Sequence, residues 1–151
     1  VSHWLGRRGG LDRSSWFRTV VQLVQEKQMV DAAKIRLAVE RYVATVGSGT
    51  SAEIAALFSE HATLEDPVGS EPLVGRVAIE KFYAALDSVK TSTELRTVRV
   101  AGDSAAFVFR VVTVTADKVI AIEPIDVMTF DADARITSMR AFWSVVDVQA
   151  A

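Results

Sequence analysis

The chain predicts an α+β domain, with helices in its first half and a run of antiparallel strands in its second. Three observations carry that expectation. Apolar residues recur at helical spacing up to Leu86. From Glu94 onward the pattern changes to period two, with Leu95, Thr97, Arg99 and Ala101 alternating against Arg96, Val98 and Val100. Turn signals then divide the second half into strand-length pieces. The 151 residues suit one compact domain, and half of them are apolar, enough for a real core.

The elements follow in order. Asp31 reads as a helix N-cap, and Ile35, Val39, Tyr42, Val43 and Val46 supply the buried side of a first helix that Gly47 and Gly49 stop. Thr50 with Glu53 forms a capping box for a short second helix whose buried side is Ile54, Leu57 and Phe58. A brief strand, Ala62 to Glu65, leads into the Asp66-Pro67 turn, with His61 in the loop before it. Pro72 and Gly75 bracket a loop, and a third helix carries Ile79, Phe82, Tyr83 and Leu86 on one face. Gly102-Asp103 is a hairpin signal, and Ala105 to Thr115 has the Val, Phe and Thr content of a strand. Asp117-Lys118 marks a turn. Val119 to Phe130 and Ile136 to Val148 read as the last two strands, joined by residues 131–134.

The first 28 residues differ from the rest. Arg7, Arg8, Arg13, Arg18 and Lys27 stand against only Asp12 and Glu26, and Gly6, Gly9 and Gly10 break any early helix. They lack the apolar run and cleavage site of a secretory signal. The expectation is an N-terminal extension over 1–28, with Ser14 to Gln28 forming a short amphipathic helix, and a folded domain over 29–151 opened by Met29.

Composition excludes several classes of chemistry. A net charge of -2 gives no footprint for nucleic acid or an anionic membrane. Without cysteine there is neither a disulfide scaffold nor a thiol nucleophile, which is compatible with a cytoplasmic location. No apolar run approaches the roughly 18 residues of a membrane span. The two histidines, His3 and His61, have no metal-ligand spacing.

Three residues stand out. Asp66 precedes proline, which by itself indicates a turn aspartate. Asp126 sits in an apolar strand that should be largely buried, where an aspartate is costly unless paired or protonated; Pro124 leaves open an exposed position on an edge strand. Tyr42 lies on the apolar face of the first helix, where a core tyrosine is the plainer reading. Glu65 should point away from Asp66 into solvent, and Glu123 should fall on the face opposite Asp126.

The segment Ala62-Thr63-Leu64-Glu65-Asp66-Pro67-Val68-Gly69 resembles the base-bearing loop of the bacterial ketosteroid isomerases. Ile125-Asp126-Val127-Met128-Thr129-Phe130-Asp131 and Met139-Arg140-Ala141-Phe142-Trp143 resemble that family's later strands. The resemblance covers about Met29 to Val148. It implies the cone-shaped fold of nuclear transport factor 2, with three helices packed on a curved, mainly antiparallel sheet around a pocket. It also implies a cofactor-free isomerisation of 3-oxo-Δ5 steroids to 3-oxo-Δ4 steroids, and homodimers that pair through the outer sheet face. Asp66 matches the general base. Tyr42 and a protonated Asp126 match the oxyanion hole, and Tyr83 matches a tyrosine that hydrogen-bonds to the first. A third tyrosine of some members corresponds to Phe58 here. Phe58, Phe107, Phe109, Val111, Met139 and Trp143 are then the expected pocket walls for a small apolar ketone, while Arg110 and Arg140 are surface charges. The alternatives are a non-catalytic steroid or lipid carrier and a polyketide cyclase-like enzyme. An epoxide hydrolase of this fold would need an Arg-Asp-Asp cluster that is not traceable here.

Overall fold

A computed structural model describes residues 12–151. The glycine break expected at residues 6–10 falls outside them. The first helix, α1 (Arg13–Ser48), is much longer than the sequence suggests. Its N-cap is Asp12, whose side chain accepts the Ser14 N–H, and Asp31 lies inside it. The reason is local: no glycine or proline interrupts residues 13–46, so nothing stops helix propagation at Asp31. The stretch expected as a separate helix over Ser14 to Gln28 is the first half of α1.

The second half of α1 packs on the sheet through Ile35, Val39, Tyr42, Val43 and Val46, all buried. Burying each such side chain contributes about 1.5–3 kcal/mol. Gly47 makes the approach possible. A Cβ there would meet the Thr93 hydroxyl at 2.4 Å, and that hydroxyl donates to the Val43 carbonyl at 2.6 Å.

Helix α2 (Ser51–Ala55) opens with the expected Thr50–Glu53 capping box, but ends before Leu57 and Phe58. Phe58 opens strand β1 (Phe58–Glu65) instead, and His61 is an exposed residue on that strand. Helix α3 (Arg76–Tyr83) continues as a 3-10 turn over Ala84–Ser88. Both ends of this segment are tied down. The Arg76 guanidinium donates to the Phe58 carbonyl at 2.7 and 3.1 Å. The Asp87 carboxylate accepts the Ser51 N–H at 2.8 Å and the Ser51 hydroxyl at 2.6 Å. The position of Tyr83 is thereby fixed from two sides.

The remaining strands are β2 (Leu73–Val74), β3 (Lys90–Ala101), β4 (Ser104–Val114), β5 (Val119–Ile122), β6 (Ile125–Phe130), β7 (Ile136–Phe142) and β8 (Gln149–Ala150). They form one sheet in the order β2-β1-β7-β6-β4-β5-β8, with β3 also on β4. All pairings are antiparallel except β1 with β7, which are parallel. Gly102 turns the β3–β4 hairpin at φ +60°, a conformation glycine adopts without steric cost.

Three irregularities depart from the strand pattern expected of the sequence, and they shape the sheet. In β3 the pairing runs Leu95 with Phe109 and then Thr97 with Val108, so Arg96 is extra. This bulge breaks the strict alternation and sends Arg96 outward to Glu94 and Glu123, each at 2.9 Å. The single strand expected over Val119 to Phe130 divides at Glu123-Pro124, because proline cannot donate to a ladder. Its halves lie on the same side of β4, β5 against Val111–Val114 and β6 against Ser104–Val108. The strand expected over Ile136 to Val148 ends at Phe142; a 3-10 turn at Val145–Asp147 and the short β8 follow. Helices on one face of this sheet enclose the core and, toward its open end, a cavity.

Candidate active site

The parallel pairing of β1 with β7 sets Glu65 beside Arg140. The residue after Glu65 and the third residue after Arg140 therefore meet beyond the strand ends. These are Asp66 and Trp143, and the indole Nε1–H donates to the Asp66 carboxylate at 2.6 Å. Glu65 points the other way, accepting the Gly69 N–H at 2.9 Å and pairing with Arg140 at 3.0 Å. Glu65 thus lies on the outer face, as expected, and its partner Arg140 is an exposed surface charge. Arg140 also lies 5.3 Å over the Phe142 ring.

Asp126 sits on β6 between β4 and β7, opposite Phe107 and Ala141. It is therefore on a central strand, not an edge. It is 1% exposed, and among the described residues neither carboxyl oxygen has a hydrogen-bond partner. Glu123 is exposed and bound to Arg96, on the outer face as expected.

Tyr42, 2% exposed, and Tyr83, 4% exposed, place their hydroxyls 2.8 Å apart. The Tyr42 ring is held edge-on by Phe58, Phe107 and Phe109, with centroids 6.0–6.4 Å away.

Tyr42, Asp66, Tyr83 and Asp126 all open onto one cavity of about 510 Å³. Of the expected walls, Phe109, Val111 and Trp143 line it. Phe58, Phe107 and Met139 do not: they are fully buried behind it, packed around the tyrosines and the adjoining strands. The sequence pattern marks a buried face but not which part of that face meets a void. Phe82, Leu86, Val46, Ile122 and Pro124 supply apolar wall in their place. Trp143 was legible as wall but not as the hydrogen-bond partner of Asp66, since that contact depends on the β1–β7 pairing. Met139 accepts a hydrogen bond from the Tyr83 hydroxyl through its sulfur at 3.7 Å, which no local sequence signal reveals.

Burial dominates the electrostatics. It pushes the Asp66 carboxyl above the usual carboxylate range, against the Trp143 hydrogen bond, which favours the anion. Burial pushes Asp126 well above that range, and the nearby Asp66 charge adds to the effect. Both tyrosines are raised well above the ordinary phenol value, again chiefly by burial. The ordering is the chemically useful feature. Both carboxyls are raised, Asp126 the more strongly, so the cavity holds two carboxyls in unlike surroundings beside a phenol. An apolar ketone seated there would find a proton acceptor and neutral donors for a developing oxyanion. Among the described residues no group of three or more His, Asp or Glu is placed to hold a metal ion.

Residues 39–139 match the family model described as the SnoaL-like domain. The chain belongs to the SnoaL-like family. It is similar to the steroid Delta-isomerase of Nocardioides simplex, at 55% identity over 117 residues, covering 78% of this chain and 95% of that one. Among solved structures it resembles SalBIII, an epoxide hydrolase/cyclase-like enzyme of pyran ring formation in salinomycin. That likeness has a TM-score of 0.75 at 27% identity, over 82% of this chain and all of the other. A Mycobacterium tuberculosis protein shares the fold at a TM-score of 0.72 and 14% identity, over 78% of this chain and 96% of its own. The α+β architecture, with helices on a curved sheet, is the one shared with these two solved structures.

Proposed function

We propose that this SnoaL-like chain is a steroid Delta-isomerase that converts 3-oxo-Δ5 steroids to 3-oxo-Δ4 steroids without a cofactor. Asp66, as carboxylate, takes a proton from C4. The electron pair moves into the ring and charge collects on the 3-oxygen, giving a dienolate. Tyr42 and the protonated Asp126 hydrogen-bond that oxygen, and Asp66 returns the proton at C6. The double bond is then conjugated with the ketone, and the base is regenerated. The observation that carries this reading is the buried Asp126 carboxyl, which has no hydrogen-bond partner among the described residues and faces the same apolar cavity as Asp66 and Tyr42. Asp126 would be costly there as an anion, and as an acid it is a ready donor. The 55% identity to a steroid Delta-isomerase supports the same substrate class.

The likeness to SalBIII favours a second reading, an epoxide hydrolase or cyclase. The cavity lining weighs against the hydrolase, since it holds two aspartates but no arginine. A domain boundary near Met29, a homodimer paired through the outer sheet face and a cytoplasmic location belong to the proposal as well. Residues 29–151 alone should then isomerise substrate at the full-chain rate and sediment as a dimer.

The deciding assay adds 5-androstene-3,17-dione to the purified protein and follows the absorbance of the conjugated enone. Rapid growth of that absorbance is the expected result. Tight steroid binding with no absorbance change would replace the isomerase with a carrier.

A further inference from the structure

The Tyr42 hydroxyl has one proton, and two directions in which to point it. At 2.8 Å either tyrosine hydroxyl can be the donor to the other. The Tyr83 hydroxyl also lies 3.7 Å from the Met139 sulfur, which has no proton to give and can only accept. A Tyr83 that donates to the sulfur must accept from Tyr42. Tyr42 then directs its proton into the wall and presents lone pairs to the cavity, which repel a carbonyl oxygen or an oxyanion. In the opposite arrangement Tyr83 donates to Tyr42. The Tyr42 proton then faces the cavity, and the sulfur has no donor.

We infer that Met139 is a positioning residue for the oxyanion hole: its sulfur holds the Tyr42–Tyr83 hydroxyl chain turned away from the cavity, and an oxyanion ligand reverses the chain. The inference rests on the isomerase reading above. Three observations support it. Among the described residues the Tyr83 hydroxyl has two hydrogen-bond partners, Tyr42 and Met139. Phe58 packs 6.3 Å from the Tyr83 ring and offers no hydroxyl that would set the direction instead. Met139 is 1% exposed on a central strand, paired with Leu64 on one side and Met128 on the other, so its sulfur is held in place. A thioether is a weak acceptor, so the bias is one that a charged ligand oxygen overcomes.

The test uses the full chain and equilenin, a steroid phenol whose anion resembles the dienolate. Met139→Leu keeps an apolar side chain of similar volume and removes the acceptor. It should tighten equilenin binding about two- to fivefold and raise the share of bound ligand that absorbs as phenolate at fixed pH. On a Tyr83→Phe background, which lacks the hydroxyl through which Met139 acts, the same substitution should have no effect. Replacement of every methionine by norleucine, exchanging each sulfur for a methylene, should reproduce the gain should the leucine variant fold poorly. Unchanged equilenin binding, or an equal gain on the Tyr83→Phe background, overturns the inference. If wild type still isomerises the Δ5 ketone, that failure leaves the isomerase reading standing. A wild type that neither isomerises nor binds equilenin overturns both.

Discussion

Glu65 and Asp66 are neighbours in the chain, yet one carboxylate lies on the outer face of the sheet and the other in the cavity. The Gly69 N–H and then Arg140 hold Glu65 below the usual carboxylate range. Burial pushes Asp66 above it. Glu123 and Asp126 repeat the division three residues apart, the first bound to Arg96 outside and the second buried with no hydrogen-bond partner among the described residues. Residue type does not separate the outward carboxylates from those that face the cavity. Strand alternation, and the cavity behind one face, does. The outer pair meets cations, whereas the inner pair meets apolar walls, where burial raises the carboxyl pKa.

The most severe way to break this contrast is to disable the proposed base. Asp66→Asn keeps size and polarity but cannot accept the C4 proton, so turnover should fall by about two to four orders of magnitude with steroid binding retained. Activity within about tenfold of wild type would move the base elsewhere. Next come the two proposed donors. Tyr42→Phe and Asp126→Ala should each lower turnover more than substrate affinity, by roughly 2–4 kcal/mol of transition-state stabilisation. Asp126→Asn keeps a donor and should be the milder change at that position. Equilenin affinity, measured in parallel, should drop in Tyr42→Phe and Asp126→Ala.

Stability against pH sharpens the comparison, because the two faces have opposite signs. Asp126 has a raised folded pKa, so above its ordinary value of 3.8 the unfolded chain releases a proton that the folded chain keeps. Folding stability should therefore fall with rising pH until the folded pKa is passed, at about 1.4 kcal/mol per pH unit for this one group. Asp126→Asn removes that slope, so denaturant titrations of the two proteins should diverge as pH rises. Equal slopes would mean that Asp126 is already ionised in the folded state. Glu65 has a lowered folded pKa, so its contribution is present above its ordinary value of 4.5 and is lost as pH falls through the folded value. Glu65→Gln should give the smallest effect: turnover within about twofold of wild type, and a small loss of thermal stability confined to neutral pH and low salt.

Much of this division was legible in the sequence. Alternation assigned Glu65 and Glu123 to the side opposite Asp66 and Asp126, and helical spacing assigned Tyr42 and Tyr83 to buried faces. What escaped depended on contacts between distant segments. Parallel pairing of β1 with β7 brings Trp143 to Asp66, and no feature of either segment alone encodes it. The bulge at Arg96 and the break at Glu123-Pro124 alter which positions face inward; proline hinted at the second, and nothing hinted at the first. Phe58, Phe107 and Met139 have the apolar character of pocket walls, but the tyrosines and strands in front of them take up that place. Asp31 has the side chain of a good helix cap, but with no glycine or proline between residues 13 and 46 the helix α1 runs through it.

The proposed charge difference between the two inner carboxyls is the most direct point of attack. Aspartate labelled with ¹³C at the carboxyl carbon reports each group's protonation by chemical shift, and Asp66→Asn and Asp126→Asn assign the two resonances. At pH 7 in the ligand-free protein, the Asp126 resonance should stand at its protonated position and the Asp66 resonance at its ionised one. An Asp126 that is ionised at pH 7, or an Asp66 that remains protonated there, would contradict the division of base and donor between them.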